Sequence, residues 1–313
     1  MPKETARSFA AINIALCKYW GKRDEELNLP VTSSLSVSLG SLGTTTTISL
    51  NNDYDEIFLN DQITDASSTF FRRVSDFLGL FRPESEVFFS VRTRNNVPTA
   101  AGLASSASGF AALTLTLNDL FSWNLYPQEL SILARLGSGS ACRSIYSGFV
   151  EWQAGILASG MDSVAIPLPY TWPELRIGIL EISRERKSIS SRDAMRQTVK
   201  TSTLYSSWPN KVDDDLIHLK DAIASKDIAS LGRIAESNAL SMHATMIGAW
   251  PPVLYWHPET VRYFHKIWQL RSEGLRVYFT VDAGPNIKLL FLHQDSEAVL
   301  NQFPGLKVAD SSV

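Results

Sequence analysis

The apolar positions of the amino-terminal third repeat mostly at a period of two, the spacing of chain that buries one face of a sheet. Arg7–Ala15 is dense in apolar and β-compatible residues, and Ser34–Ser38 and Thr44–Leu50 alternate on either side of Gly40 and Gly43. That pattern predicts strands joined by a turn at the glycines. Glu56–Ile63, centred on Asn60-Asp61, predicts a hairpin, and Glu86–Arg94 predicts a further strand around Phe88 and Phe89. This third is expected to be mostly sheet.

The period changes at Ser105. From there to Leu120, Ala, Leu and Phe recur at helical spacing, with Pro98 and Gly102 as breakers upstream and serines at the amino-terminal cap. A second helix is expected over Pro127–Leu136, opened by its proline and closed at Gly137, followed by strands over Gly148–Trp152 and Leu175–Ile182. Helical spacing returns near Asp193–Lys200, Asp214–Ala224, Ile228–Met246 and Pro258–Ser272, and strands are expected at Arg276–Val281 and Asn286–Leu292. The second half therefore reads as α+β. No fixed-period repeat, low-complexity tract or Gly/Ser linker separates the halves, and the boundary is placed near residue 175.

Length and composition narrow the class. At 313 residues and roughly 100–200 residues per domain, two domains or one large one are expected. With 44% hydrophobic and 19% charged residues the chain is an ordinary globular protein, not a disordered or fibrous one. A net charge of −3 argues against nucleic-acid binding unless cations gather locally. Cys17 and Cys142 form no metal-ligand spacing and suit a reducing compartment. No run approaches the roughly 18 apolar residues of a membrane span, and the start Met1-Pro2-Lys3-Glu4-Thr5 lacks the apolar core of a signal peptide. A cytoplasmic protein without membrane contact is expected.

Five segments carry candidate chemistry. Pro98 to Gly109 joins a strand to a helix through small residues; free amides at the first helical turn, the helix dipole and serine hydroxyls would suit a nucleotide's phosphates. It matches neither the Walker loop nor the dinucleotide fingerprint, and the same residues would serve a close-packed loop over a core helix. Asn13 to Arg23 crowds Lys18, Lys22 and Arg23 around Tyr19 and Trp20; Ser138 to Arg143 is a small-residue turn ending in an arginine able to grip a carboxylate or phosphate through two parallel hydrogen bonds. Arg184-Glu185-Arg186-Lys187, leading to Ser190-Ser191-Arg192, reads by itself as a solvated loop, and Asp282 before Ala283-Gly284-Pro285-Asn286 as a turn residue.

Their joint occurrence changes the picture. Asn-Ile-Ala-Leu-Cys-Lys-Tyr-Trp-Gly-Lys-Arg (13–23), Pro-Thr-Ala-Ala-Gly-Leu-Ala-Ser-Ser-Ala-Ser-Gly (98–109), Gly-Ser-Gly-Ser-Ala-Cys-Arg-Ser (137–144) and Asp-Ala-Gly-Pro-Asn (282–286) follow one another. Across nearly the full chain this set resembles the diphosphomevalonate decarboxylase family of the GHMP kinase superfamily. That superfamily usually shows Gly-Leu-Gly-Ser-Ser where this chain has Gly-Leu-Ala-Ser-Ser, so Ala104 points to the decarboxylase branch.

The resemblance implies a two-lobed α+β fold, with a ribosomal S5 domain 2-like, ATP-binding lobe over 1–175 and a ferredoxin-like lobe over 176–313. It implies conversion of (R)-5-diphosphomevalonate and ATP to isopentenyl diphosphate, ADP, phosphate and CO2 in isoprenoid biosynthesis, with Mg2+ carried on the ATP phosphates and held by no dedicated protein ligands. Asp282, Arg143, Ser106 and Lys18 are the implied catalytic residues. Asn13, Tyr19, Lys22, Ser138, Ser140, Arg143, Ser191 and Arg192 are implied to bind substrate, and Pro98, Gly102, Leu103, Ala104, Ser105, Ser106 and Lys187 to bind ATP. A homodimer is implied as well. His243 is assigned no chemistry, and the tryptophans are expected in the core or an interface. The competing readings are a 3-hydroxyl kinase of the same fold that does not decarboxylate, and a ligand sensor that has lost turnover.

Overall fold

The computed structural model describes residues 3–96, 105–185 and 187–309. The first sheet is built from β1 (Thr5–Cys17), β4 (Ser34–Asn51), β5 (Glu56–Leu59), β6 (Gln62–Ile63), β7 (Phe88–Asn95), β8 (Phe149–Trp152) and β9 (Ala165–Pro167), with a small hairpin of β2 (Lys22–Asp24) and β3 (Leu29–Pro30) beside it. Along one edge of β4 runs the whole of β1; along the other, β7 and β8 lie in tandem. Helices α1 (Thr69–Gly79), α2 (Ser105–Leu120) and α3 (Pro127–Gly137) complete this half, and a 3₁₀ turn (Gly139–Ile145) follows α3.

The second sheet is four-stranded and antiparallel: β10 (Leu175–Leu180), β11 (Tyr278–Val281), β12 (Ile287–Leu292) and β13 (Lys307–Ala309), in the order β11-β12-β10-β13. Numbered within the lobe this is 2-3-1-4, the split order of a ferredoxin-like sheet. Between β10 and β11 lie α4 (Ser191–Thr201), α5 (Trp208–Ala224), α6 (Ile228–Ile247) and α7 (Pro258–Ser272), and α8 (Ser296–Gln302) precedes β13. The fold is a two-lobed α+β fold. One apolar core crosses between the sheets, with Leu16, Cys17 and Trp20 packed in the same cluster as Leu216, Met242, Tyr278 and Leu290.

Most expected elements form, and the departures have physical causes. No turn forms at Gly40 and Gly43: β4 runs through both as one strand of 18 residues. Its ladder with β1 jumps from Asn13↔Ser38 to Ala11↔Gly43, so the intervening residues bulge without reversing the chain, with Gly40 at φ +58°. Gly43 is required there, because a Cβ would sit 2.2 Å from the Ala10 carbonyl oxygen. Helix α1 is absent from the sequence reading. Ser68 caps it by accepting from the Phe71 amide at 3.1 Å, and Val74, Phe77 and Leu78 form its buried stripe. Helix α5 begins at Trp208, earlier than the expected Asp214, and β9, α8 and β13 were not foreseen. The turn at Asn60-Asp61 forms as expected, both residues at positive φ (49° and 67°).

Helix α6 positions the site, since it packs on β11 and on β1 at once. Asp227 caps it through the Ala229 and Ser230 amides, and it buries Leu231, Ala235, Asn238, Met242 and His243. Its seat on the sheet depends on Gly232, whose absent Cβ would lie 2.1 Å from the Tyr278 ring. Alanine in a helix interior is worth about 1 kcal/mol over glycine, but overpacking a tight contact costs roughly 1–3 kcal/mol or more. The clash wins, so Gly232→Ala is expected to lower the melting temperature by several degrees; an unchanged or raised value in thermal unfolding would show that the helix is not seated this closely.

Candidate active site

The ends of several elements deliver the chemistry to one place. Lys18 and Tyr19 follow the last residue of β1, Ser106 lies in the first turn of α2, Ser140 and Arg143 sit on the 3₁₀ turn, Ser191 and Arg192 open α4, and Asp282 follows β11. All of them, with Asn13, Lys22, Ser138 and Lys187, line a single cleft of about 940 Å³ between the lobes. Pro98, Gly102, Leu103 and Ala104 lie outside the described residues, and Ser105 opens α2. Among the described residues the cleft wall carries Lys18, Lys22, Arg73, Arg143, Lys187 and Arg192 against only Asp193 and Asp282. Two helix amino termini, those of α2 and α4, add their positive ends. A weakly acidic protein thus concentrates cations where a polyanion would sit.

Asp282 is held from two sides. Lys18 Nζ donates to Oδ1 at 2.7 Å, and Lys288 Nζ, from β12, lies 3.0 Å from Oδ2. Both lysine side chains are 2% exposed, whereas a third of the Asp282 side chain opens to the cleft. Burial by itself would raise this carboxyl, but the two ammonium groups outweigh it and hold it well below the usual carboxylate range. Burial pulls the Lys18 ammonium down, against the opposing attraction of Asp282. Lys18 is placed from behind as well: its amide donates to Asn238 Oδ1 at 2.8 Å, and Asn238 Nδ2 donates to Asp215 Oδ2 at 2.8 Å.

His243 is a buried histidine of α6, and it backs the same turn. Its Nε2 lies 3.0 Å from the Asp282 carbonyl. Because a carbonyl only accepts, that nitrogen carries the proton. Burial first, with Lys18 and Lys288 adding to it, lowers His243 to about 3 and keeps the ring neutral. The ring packs 4.6 Å from Trp256.

Arg143 is also 2% exposed, yet its partners are neutral. Nε donates to Ser36 Oγ at 3.0 Å, Nη1 donates to Ser34 Oγ, and Nε and Nη2 reach Asn13 Oδ1 at 3.4 and 3.3 Å. Asn13 is fixed in turn by Nδ2, which donates to Ser144 Oγ at 2.7 Å and to the Ser140 carbonyl at 3.1 Å. Arg135, equally buried, is spent on the carbonyls of Leu27, Gly160 and Ser163 away from the cleft. Among the described residues no carboxylate pairs with Arg143, so its charge is available to an incoming anion.

The cationic end of the cleft lies around Lys22. Its Nζ donates to Asn28 Oδ1 at 2.6 Å, and burial, then Arg192, lowers its ammonium to about 8. Among the described residues the buried Tyr19 hydroxyl has no hydrogen-bond partner, and its ring meets Trp152 edge-on at 4.7 Å. Ser106 and Ser138 approach at 3.5 Å between their hydroxyls. Lys187 Nζ donates to Ser191 Oγ at 3.3 Å. A second cavity of about 210 Å³, between Val91, Thr93, Asn95 and Phe110, shares Arg73 and Ser106 with the cleft.

Sequence reasoning missed Lys288 and Arg73. The signal for Lys288 was its isolation, one charge inside the apolar strand Ile287–Leu292. Arg73 lay within the unrecognised α1. Ser34, Ser36, Asn238 and Asp215, which position Arg143 and Lys18, gave no signal beyond being polar residues in apolar surroundings.

Comparison with known proteins accounts for this arrangement. Residues 10–165 match the family model described as the diphosphomevalonate decarboxylase-like N-terminal domain, and residues 177–309 the mevalonate 5-diphosphate decarboxylase C-terminal domain. A diphosphomevalonate decarboxylase of Aspergillus fumigatus is 40% identical over 320 residues, covering 94% of this chain and 78% of that one. A solved structure of the mevalonate diphosphate decarboxylase from Enterococcus faecalis, described in terms of ATP binding mediated by mevalonate diphosphate, superposes with a TM-score of 0.89 at 40% identity, over 97% of this chain and 95% of the other. Another, described as MDDEF in complex with MVAPP, AMPPCP and magnesium, gives a TM-score of 0.90 at 40% identity and the same coverage. Matched on both lobes by family models, and in sequence and structure by proteins that share its full two-lobed course, this chain belongs to the diphosphomevalonate decarboxylase family.

Proposed function

We propose that the cleft binds (R)-5-diphosphomevalonate beside ATP, phosphorylates its 3-hydroxyl and expels phosphate and CO2, leaving isopentenyl diphosphate and ADP. The observation that carries this reading is that Arg143 of one lobe and Asp282 of the other open into the same cation-lined cleft. In this reading residues 1–175 are the nucleotide lobe and 176–313 its partner. The protein works as a homodimer in the cytoplasm; the two cysteines, both buried and unpaired, suit a reducing compartment, and the dimer follows from the family resemblance. No helix among the described residues is long and apolar enough to cross a membrane.

Arg143, preloaded with neutral partners, takes the substrate carboxylate in two parallel hydrogen bonds, and Asn13 keeps it aimed. Lys22, Tyr19, Ser138, Ser140, Ser191 and Arg192 take the diphosphate. The free Tyr19 hydroxyl and the crowding of Lys22 by Arg192 both call for an anion. Ser106, Ser105 and the Pro98, Gly102, Leu103 and Ala104 loop hold the nucleotide's phosphates with Lys187, and the cavity over Val91 and Phe110 takes the base. Among the described residues no cluster of His, Cys, Asp or Glu could hold a metal ion. As the family resemblance implies, Mg2+ would come in with ATP and would supply charge neutralisation to its phosphates.

The first step joins the 3-hydroxyl oxygen to the γ-phosphorus and breaks the β–γ bridge, releasing ADP and the hydroxyl proton. Alignment and charge compensation are what the residues contribute, because the transferring phosphoryl group is loosely bound in the transition state. In the second step the C3–O bond breaks and phosphate takes its electron pair. The pair of the bond to the carboxylate carbon becomes the new double bond as CO2 leaves. Positive charge develops at C3 beside Asp282, which stabilises it, while Arg143 restrains the carboxylate until phosphate has gone.

Two outcomes follow, each read by measuring ADP and CO2 in parallel. Asp282→Asn leaves Lys18 and Lys288 facing a neutral group, a change that costs about 3–5 kcal/mol of stability, so turnover is counted per folded molecule. ADP and CO2 release are expected to fall together by about 100-fold or more, with nucleotide still bound because Ser106 lies on the other lobe. Undiminished release of both products would remove Asp282 from the mechanism. Lys22 loses its charge as pH rises through about 8, so the KM for the diphosphate substrate is expected to climb above that pH at nearly constant kcat, and Lys22→Ala to raise it at every pH. A KM independent of both pH and this side chain would exclude Lys22 from the diphosphate site.

A further inference from the structure

Lys288 is the least expected charge in the molecule. It stands in β12 among Ile287, Leu289, Leu290 and Phe291, all in the core, and lysine is almost never fully buried without a partner. Its Nζ has two acceptors, Asp282 Oδ2 at 3.0 Å and the Asn286 carbonyl at 3.4 Å. Lys288 does not line the cleft. It approaches the carboxylate from the protein side, while Lys18 takes the other oxygen at 2.7 Å from the cleft wall.

We infer that Lys288 is a positioning residue for the reaction: it pins the carboxylate oxygen that Lys18 leaves free, so that Asp282 meets the substrate as a fixed anion and not as a proton carrier. The inference rests on the reading of Asp282 given above. An aspartate's carboxylate turns easily about its last torsion, and one ammonium group on each oxygen stops that rotation. The same two charges oppose protonation. A carboxylate so held can still accept a hydrogen bond from a substrate hydroxyl through the lone pairs that face the cleft, but it is a poor place for the proton to stay.

Among the described residues, the charged and titratable groups named against Asp282 push the same way or are silent. Lys18 comes from the end of β1, Lys288 from β12, Lys187 from the segment before α4 and Arg143 from the 3₁₀ turn, while His243 of α6 touches only the carbonyl and is neutral. Loss of Lys288 therefore weakens the hold on Asp282 and does not abolish it.

The test is the pH dependence of kcat in Lys288→Met, which keeps the buried stem and removes the charge, compared with Lys288→Arg, which keeps the charge. ADP and CO2 release are measured from about pH 5 to pH 9 with diphosphomevalonate and ATP. Lys288→Met is expected to lose about tenfold or more in kcat at neutral pH, with both KM values within about threefold, and to show an acid fall in kcat that begins roughly 1–3 pH units above that of the wild type, whose Asp282 stays ionised across the range. Lys288→Arg, whatever its kcat, is expected to keep the wild-type limb. An unmoved limb in a folded Lys288→Met, or the same displaced limb in both variants, would overturn the inference, since a merely structural lysine changes rate or stability without separating the variants by charge. If Lys288→Met does not fold, Lys288→Arg decides: a wild-type limb supports the inference and a displaced one overturns it. A wild-type chain that releases neither product would overturn the proposed function and this inference with it, whereas a working wild type with an unmoved limb in Lys288→Met overturns this inference alone.

Discussion

Asp282 sits between two buried ammonium groups, and the geometry of the cleft follows from that arrangement. Lys18 follows β1 of the first sheet, whereas Asp282 follows β11 and Lys288 stands on the adjoining β12 of the second. Taking three charges out of water is costly and is repaid only at close contact, so displacing one sheet against the other would leave an unpaired ion inside the protein. The rest of the interface is arranged to prevent this. Asn238 fixes the backbone of Lys18 from α6, Asp215 fixes Asn238 from α5, and His243 holds the Asp282 carbonyl from α6. The apolar cluster around Leu16, Trp20 and Met242 supplies the contact area that polar pairing cannot.

The buried cations Lys288, Arg135 and Arg143 serve two opposite purposes. Lys288 is consumed by the anion it fixes, and Arg135 by the backbone carbonyls it ties together. Arg143 is spared: serine hydroxyls and an asparagine oxygen set its plane and leave its charge uncompensated. That difference separates a residue whose charge is spent in building the cleft from one whose charge is left facing it. The same logic extends to Lys22, whose lowered proton affinity reflects burial and the nearness of Arg192. Lys22 and Arg192 stand close together on the cleft wall, and a diphosphate bound between them would relieve their repulsion.

The sequence was legible where local chemistry spoke clearly. Helices α2 and α7 were visible in their bounds, through the serines at the start of one and Pro258 at the start of the other. Strand β4 misled because glycines near the middle of an alternating run look like a turn, and only β1 pairing along its whole length reveals a bulge. Helix α1 was hidden because Arg72-Arg73 and Ser75-Asp76 dilute its stripe of Val74, Phe77 and Leu78. The site was readable as motifs whose meaning depended on their company: no single segment distinguished a phosphate loop from a packed turn. Lys288 was invisible for another reason. Its partner lies across a hairpin, and a lone lysine in an apolar strand reads as an interruption until the fold shows what it faces.

The claim at the centre of this account, that Asp282 stays ionised between Lys18 and Lys288, can be observed without any turnover. Protein labelled with ¹³C at the aspartate side-chain carboxyls, with the Asp282→Asn spectrum to assign the missing line, would be titrated from neutral pH down to about pH 4, where ordinary carboxyls titrate. The account predicts that the Asp282 resonance holds its carboxylate position throughout, down into the range where ordinary solvent-exposed carboxyls begin to take up protons. An Asp282 resonance that titrates with them, or at higher pH, would contradict it.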